Sequence, residues 1–373
     1  MAQPDSTEDA RLMALALALG RRGLGCTWPN PAVGALVVRD DGSGPVIAGR
    51  GWTQPGGRPH AETEALRRAG EAARGATLYV TLEPCSHQGK TPPCADAIVA
   101  AGIARVVSAL EDPNPQVAGA GHWRMAENGI EVEIGVGAEE ARRAHAGHIR
   151  RVRDGRPHVI LKLAVSADGK AGLAGRRPAI ITGEPARDRV QLMRAMSDAV
   201  LTGIGTVIAD DPLLTCRLPG MADRSPVRVV LDGRLRLPLD SRLVATVAEA
   251  PLWVVTSEAA STEHEQALNA RGVEVFRVAA SDGKLDLLAT LRLLAGRGIT
   301  RLMVEAGPIL AAAFVRADLV DEAVLFRSPN AIGPGGIDAL DGLPLDAFVR
   351  LPRLRSRGIE PIGVDGVETF ERP

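Results

Sequence analysis

The sequence predicts two α/β domains, and three observations carry that reading. Strand-like apolar runs alternate with helical segments through both halves of the chain. A length of 373 residues is long for one domain. Around residues 141–157 the texture turns basic and helical, in "ARRAHAGHIRRVRDGRPH", and beyond it the alternation begins again. The expected domains are therefore 1–147 and 148–373. Apolar residues make up 45% and charged residues 24%, the balance of an ordinary globular protein. A net charge of -1 gives no broad basic surface for nucleic acid and no general pull toward anionic membranes. Aromatics, at 3%, are too scarce for a base-stacking platform. Four cysteines do not make a disulfide scaffold, and a cytoplasmic location fits them better.

In the first half, "RLMALALALGRRG" reads as a buried helix, with Ser6 as cap, acidic residues in its first turn and Gly23 at its end. Asp5, Glu8 and Asp9 stand where a signal peptide would carry positive charge, and the run is too short to span a bilayer. Strands follow at "VGALVV" and "PVIAGRGW", a helix at "HAETEALRRAGEAARG" and a strand at "ATLYVTLE". "CADAIVAAG" reads as a short helix, "ARVVSAL" as a strand, "EDPNPQVAGAG" as a loop and "GIEVEIGV" as a last strand. In the second half, strands are expected at "HVILKLAVS", "AVLTG", "VRVVLD", "LWVVTS", "VEVFRV", "RLMVEAG", "EAVLFRSP" and "VETFER". "ADGKAG" reads as a turn, and helices are expected at "EPARDRVQLMRAMS" and "PILAAAFVRA".

Metal-capable residues gather in the first half. His60 opens a helix, Cys85 follows a strand end, and Cys94 opens another helix. Helix N-termini favour thiolates. Three protein ligands leave a fourth zinc position for water, whose pKa the metal lowers to about 7. Glu62, two residues past His60, is placed to reach that water and to shuttle its proton to a ring nitrogen and to departing ammonia. Taken singly, these residues read as a surface histidine, a capping glutamate and two buried thiols. Zinc cysteine pairs usually sit two to four residues apart, whereas eight residues separate Cys85 from Cys94. The insertion brings His87, Lys90 and Thr91 beside the metal and suits a compact phosphorylated substrate.

The motifs "PNPAVGALVV", "HAETEAL", "YVTLEPCSHQGKTPPC" and "EDPNPQVAGAG" closely resemble the bifunctional riboflavin-biosynthesis deaminase–reductase family, and the likeness runs through both halves. It implies a cytidine-deaminase-like three-layer α/β/α domain followed by a dihydrofolate-reductase-like α/β domain. It implies hydrolytic deamination of 2,5-diamino-6-(5-phosphoribosylamino)pyrimidin-4(3H)-one, then NADPH-dependent reduction of the ribosyl side chain to ribityl. By this resemblance His60, Cys85 and Cys94 hold Zn2+ and Glu62 is catalytic. Asn30, His87, Lys90, Asp112 and Asn114 contact the deaminase substrate. Asn30 and Asn114 also read as turn residues beside prolines, and Lys90 as a solvated loop charge.

In the second half, "LKLAVSADGK" and "QLMRAMSDAVLTGIGTVIADDPLLTCR" resemble the reductase of that family. The resemblance implies cofactor contacts at Ala164, Ile180, Thr206, Asp210 and Gly307. It implies substrate contacts at Pro178, Arg194, Leu214, Arg217 and Glu305. Arginines suit a ribose phosphate because a guanidinium grips it bidentately. "VEAGPILAAAF" reads as a strand, a turn at Gly307 and a helix whose N–H groups would face a phosphate. Lys162, a charge inside an apolar strand, reads as an edge residue or a site residue. Where the family usually shows Ser and Trp, this chain has Pro178 and Ile180, so an active reductase is expected that binds cofactor or substrate less tightly or through a shifted loop. The resemblance further suggests a homodimer through the reductase half. Two other readings remain: a deaminase of another pyrimidine, and a zinc-stabilised NADP-binding regulator without turnover. Glu62 discriminates against the last, since a structural zinc site has no use for it.

Overall fold

The computed structural model describes residues 6–42, 44–88, 92–115, 117–173, 180–281, 283–347 and 354–372. The chain divides into two compact units, Met1–Gly155 and Arg156–Pro373.

The first unit runs α1 (Ser6–Gly20), β1 (Gly34–Asp40), β2 (Pro45–Trp52), α2 (Ala61–Ala69), β3 (Thr77–Val80), α3 (Cys94–Ala100), β4 (Arg105–Ser108), α4 (Ala120–Glu127), β5 (Glu131–Ile134), α5 (Ala138–Ala144) and α6 (Ala146–Asp154). Its sheet has the order β2-β1-β3-β4-β5. The β1 strand pairs antiparallel with β2 and β3, whereas β3, β4 and β5 are parallel. Alternate residues of β1 face opposite ways, and two cores result. Ala35 and Val37 pack with Ala61, Ala65, Ala95, Ile98 and Met125 of α2, α3 and α4. Leu36 and Val38 pack with Leu12, Met13, Ala16 and Leu17 of α1 and Ala141 of α5. This is the three-layer α/β/α arrangement. A buried Asp9 accepts from Arg105 at 2.8 and 3.1 Å and from the Tyr79 hydroxyl at 2.5 Å, tying α1 to the sheet. The helix α4 was not expected from "AGHWRMAE", a short segment with a glycine in its first turn.

The second unit runs β6 (His158–Val165), β7 (Lys170–Gly172), α7 (Glu184–Ala195), β8 (Ala199–Gly203), α8 (Ile204–Asp210), β9 (Val227–Leu231), α9 (Arg242–Ala245), β10 (Leu252–Ser257), α10 (Thr262–Asn269), β11 (Glu274–Val278) and the small ribbon β12 (Ala280–Ser281) with β13 (Lys284–Leu285). Then come α11 (Leu287–Gly296), β14 (Arg301–Val304), α12 (Pro308–Arg316), β15 (Glu322–Arg327), β16 (Ile337–Asp338), β17 (Arg355–Ile362) and β18 (Asp365–Glu371). The main sheet has the order β11-β10-β9-β8-β14-β6-β15-β18-β17. From β11 to β15 every pairing is parallel, and β18 and β17 join antiparallel. A parallel sheet finished by an antiparallel C-terminal pair is the dihydrofolate-reductase-like arrangement that the resemblance implies. The helix α8 begins at once after β8, where the Ile, Thr and Val of "GIGTVIAD" had offered no helical signal.

Candidate functional site

In the first unit the parallel strands β3 and β4 end side by side, and the metal-capable Cys85 follows the carboxyl end of β3, the edge where α/β sheets commonly place ligands. The Glu83 N–H donates to Leu110 O at 2.8 Å, so the pairing runs on past β3 and delivers Cys85 just beyond the sheet. Cys94 is the first residue of α3. His60 precedes α2 in extended conformation and makes no side-chain cap bond, which leaves its ring free.

The Nδ1 of His60 and the two Sγ atoms lie within 4.8 Å of one another. Nδ1 is 3.3 Å from Cys94 Sγ and 3.7 Å from Cys85 Sγ. Zinc bond lengths of 2.0–2.3 Å at tetrahedral angles place ligand atoms about 3.5 Å apart, so the donor set fits that ion. Without metal the trio shares its protons unevenly. Cys85 falls to about 4, first because the Cys94 thiol donates to it, then because of His60 and the Cys94 N–H at 3.3 Å. Cys94 is pushed up by that same donation and by burial. Glu62, in the first turn of α2, is only 4% exposed. Burial raises its pKa, and the nearby His60 offsets part of the rise.

The expected substrate residues that the structure describes fall on three loops: Asn30 before β1, His87 between β3 and α3, and Asp112 with Asn114 between β4 and α4. Asn30 donates Nδ2 to Gly57 O at 2.8 Å, three residues before His60. A Cβ on Gly57 would lie 2.6 Å from that Nδ2, and its φ of +83° also favours glycine. Asp112 and Asn114 share a turn in which the Asn114 N–H donates to Asp112 Oδ1 at 2.8 Å. His148 of α6 stands 3.3 Å from the same oxygen and holds Asp112 below the usual carboxylate range despite burial. Sequence reasoning missed His148, whose only signal was its place in the basic segment. His87 is exposed, and Lys90 lies outside the described residues.

In the second unit β8, β14 and β6 are adjacent and parallel. Register pairs Val304 with Leu161, so the next residues, Glu305 and Lys162, fall side by side. Lys162 Nζ is 3.5 Å from Glu305 Oε1. From the last turn of α7, Arg194 grips the same carboxylate at 2.8 and 2.9 Å and donates to Thr215 O at 3.1 Å. Burial alone would raise Glu305, but Lys162 and Arg194 hold it down at about 2. β6 lies inside the sheet between β14 and β15, so Lys162 is not an edge residue.

Arg194 is committed to Glu305, whereas no acid among the described residues makes an ion pair with the exposed Arg217. Partial burial and the cations Arg194 and Arg242 lower the Arg217 pKa, and Glu305 offsets part of that fall. The Leu214 side chain belongs to the core, and its φ is +56°, an uncommon conformation for a non-glycine residue. Thr206 lies on α8, and its Oγ1 accepts the Gly307 N–H at 3.2 Å. That bond, with Pro308 as the first residue of α12, differs from the open row of N–H groups expected there: the first free donors are Ile309 and Leu310. Ala164 is half-buried two residues past Lys162 on the same side of β6, and Asp210 ends α8 exposed. Ile180 is 83% exposed, and Pro178 lies outside the described residues.

Known proteins resemble both units. Residues 6–110 match the cytidine and deoxycytidylate deaminase zinc-binding region, and residues 157–367 match the RibD C-terminal domain. The riboflavin biosynthesis protein RibD of Escherichia coli K12 is 41% identical over 371 residues, covering 96% of this chain and 98% of that protein. The protein of that name from Aquifex aeolicus is 39% identical over 364 residues, covering 98% of each. The solved structure of Acinetobacter baumannii RibD superposes with a TM-score of 0.87 at 36% identity, over 99% of this chain and 100% of that one. A Thermotoga maritima structure gives 0.84 at 36% identity over 99% of both chains, and is described as a diaminohydroxyphosphoribosylaminopyrimidine deaminase/5-amino-6-(5-phosphoribosylamino)uracil reductase.

Proposed function

The chain belongs to the RibD family of bifunctional riboflavin-biosynthesis deaminase–reductases, and on that premise we propose its substrates, its second cofactor and the roles of its residues. The first unit deaminates 2,5-diamino-6-(5-phosphoribosylamino)pyrimidin-4(3H)-one. The second reduces the ribosyl side chain of the resulting 5-amino-6-(5-phosphoribosylamino)uracil with NADPH. The observation that carries the reading is the triangle of His60, Cys85 and Cys94 with a buried carboxyl, Glu62, in the same turn as His60.

His60, Cys85 and Cys94 would hold zinc, which would supply a Lewis acid able to activate water near neutral pH. Glu62 then does the proton work. Buried beside His60, it is placed to take a proton and give it up again to the ring nitrogen and the leaving ammonia. Asn30, Asp112 and Asn114 orient the substrate, and His148 keeps Asp112 ionised. In the second unit a bound pyridine nucleotide would supply hydride. Glu305, ionised, holds Lys162 and Arg194 in place. Lys162 is the cation able to protonate the sugar oxygen as the ring opens, and Arg217 takes the phosphate. Gly307 and Thr206, joined by a hydrogen bond, would shape the turn that holds the nucleotide. A homodimer joined through the reductase half, working in the cytoplasm, completes the reading; no helix among the described residues is long and apolar enough to cross a membrane.

Glu62→Gln tests it. The variant keeps its zinc, measured by metal analysis, and its reductase rate, but ammonia release falls by a factor of about 10²–10⁴, the usual share of general acid–base catalysis. Deamination at the normal rate would refute the role.

A further inference from the structure

Glu83 sits two residues before Cys85, and its side chain is 0% exposed. Its carboxylate accepts three backbone N–H groups. Asp112 N and Gly119 N donate to Oε2 at 3.0 Å each, and Gly121 N donates to Oε1 at 2.8 Å. Two of these donors belong to the start of α4, whose own N-cap, Gly119, offers no side chain. A carboxylate supplied from another strand end therefore caps this helix. Gly121 permits the approach, because a Cβ there would lie 2.1 Å from Pro84 O and 3.2 Å from Glu83 Oε1.

Glu83, Glu111 and His122 also come within 4.8 Å of one another and have the look of a second metal centre. Three of the roughly four acceptor positions of the Glu83 carboxylate are already filled, which leaves little for an ion. Capping explains the bonds to Gly119 and Gly121 but not the third, to Asp112, which lies outside the helix in the turn with Asn114. Bonds from amides to a buried carboxylate are charge-assisted and directional, so that turn has little freedom.

We propose that Glu83 is a positioning residue of the deaminase, clamping the Asp112–Asn114 turn to the strand end that carries Cys85. The substrate-binding turn and a metal ligand are thereby held in one register. The inference rests on the reading of Asp112 and Asn114 as substrate contacts.

Glu83→Gln is the test, assayed beside Asn114→Ala in the full chain. A glutamine has one acceptor oxygen and turns an NH2 toward amide donors, so it cannot satisfy both sides of the clamp. We expect KM for the diaminopyrimidine phosphate to rise about tenfold or more, the loss typical of a buried unmade hydrogen bond. We expect kcat to change less, with zinc content and reductase kinetics as in the parent. An unchanged KM overturns the positioning role, and so does loss of zinc, which would put the damage at the metal. A parental KM in Asn114→Ala defeats the underlying reading of the turn, whatever Glu83→Gln does. A raised KM there with a parental one in Glu83→Gln defeats the clamp alone. Hydrogen exchange on the unaltered protein gives an independent check should Glu83→Gln fail to fold. The amides of Asp112, Gly119 and Gly121 are expected to be as protected as the β3–β4 ladder, and exchange at loop rates would overturn the clamp.

Discussion

The two units solve one problem in opposite ways. In the first, soft neutral-to-anionic donors converge from three element ends and leave charge for a metal to balance. In the second, Glu305 is balanced within the protein by Lys162 and Arg194. One site is completed by an ion and the other by its own cations. The first therefore announces itself through cysteine and histidine at element boundaries. The second consists of common charged residues whose pairing is made only by the sheet.

The contrast can be broken most forcefully at Glu305. Glu305→Gln leaves two partly buried cations without their anion, and breaking such a buried pair costs about 3–5 kcal/mol. The thermal transition of the second unit should fall, with reductase activity lost, while the deaminase keeps its rate. Calorimetry with both assays checks this. A parental reductase would show that the triad is not the site.

Acid should separate the units next. His145 is fully buried against Thr81, at 3.0 Å, and burial lowers its pKa from 6.5 to about 4. Between those values the unfolded chain binds a proton that the native one refuses. The stability is complete above pH 6.5 and is lost as pH falls toward 4, to a total of about 3 kcal/mol. Glu305 is depressed from 4.5 to about 2, so its contribution is complete above pH 4.5 and fades only below it. The first unit should thus begin to weaken at higher pH than the second. His145→Gln should flatten that limb in unfolding curves taken across pH 4–7. An unchanged slope would remove His145 from the account.

A milder change sharpens the geometry of the first site. Gly57→Ala drives a Cβ against Asn30 in a left-handed conformation. KM for deamination should rise about tenfold, given a strain of about 1–3 kcal/mol, with zinc content and the second unit unaffected. Steady-state kinetics would show it, and an unmoved KM would release Asn30 from substrate binding.

The clustering of His60, Cys85 and Cys94, with Glu62 nearby, was legible because its signals are local: His60 and Glu62 share a turn, and Cys85 and Cys94 mark the ends of one loop. The alternation of strands and helices was legible for the same reason. The helix α4 was not, because its cap comes from Glu83, far back in the chain. Nor was α8, whose β-branched residues follow β8 without punctuation. Lys162 stayed ambiguous until register set it beside Glu305. Arg194 and Arg217 looked alike in sequence, and only the fold ties one to a carboxylate and leaves the other without an acidic ion-pair partner among the described residues.

The central claim, two self-sufficient chemistries in one chain, meets its most direct test in a chelation assay on the intact protein. Ammonia release is followed with the diaminopyrimidine phosphate, and NADPH oxidation with the deaminated intermediate supplied separately. Removal of the metal should abolish the first and leave the second at its original rate, with zinc restoring the first. Ammonia release that survives chelation, or NADPH oxidation that disappears with it, would contradict the account.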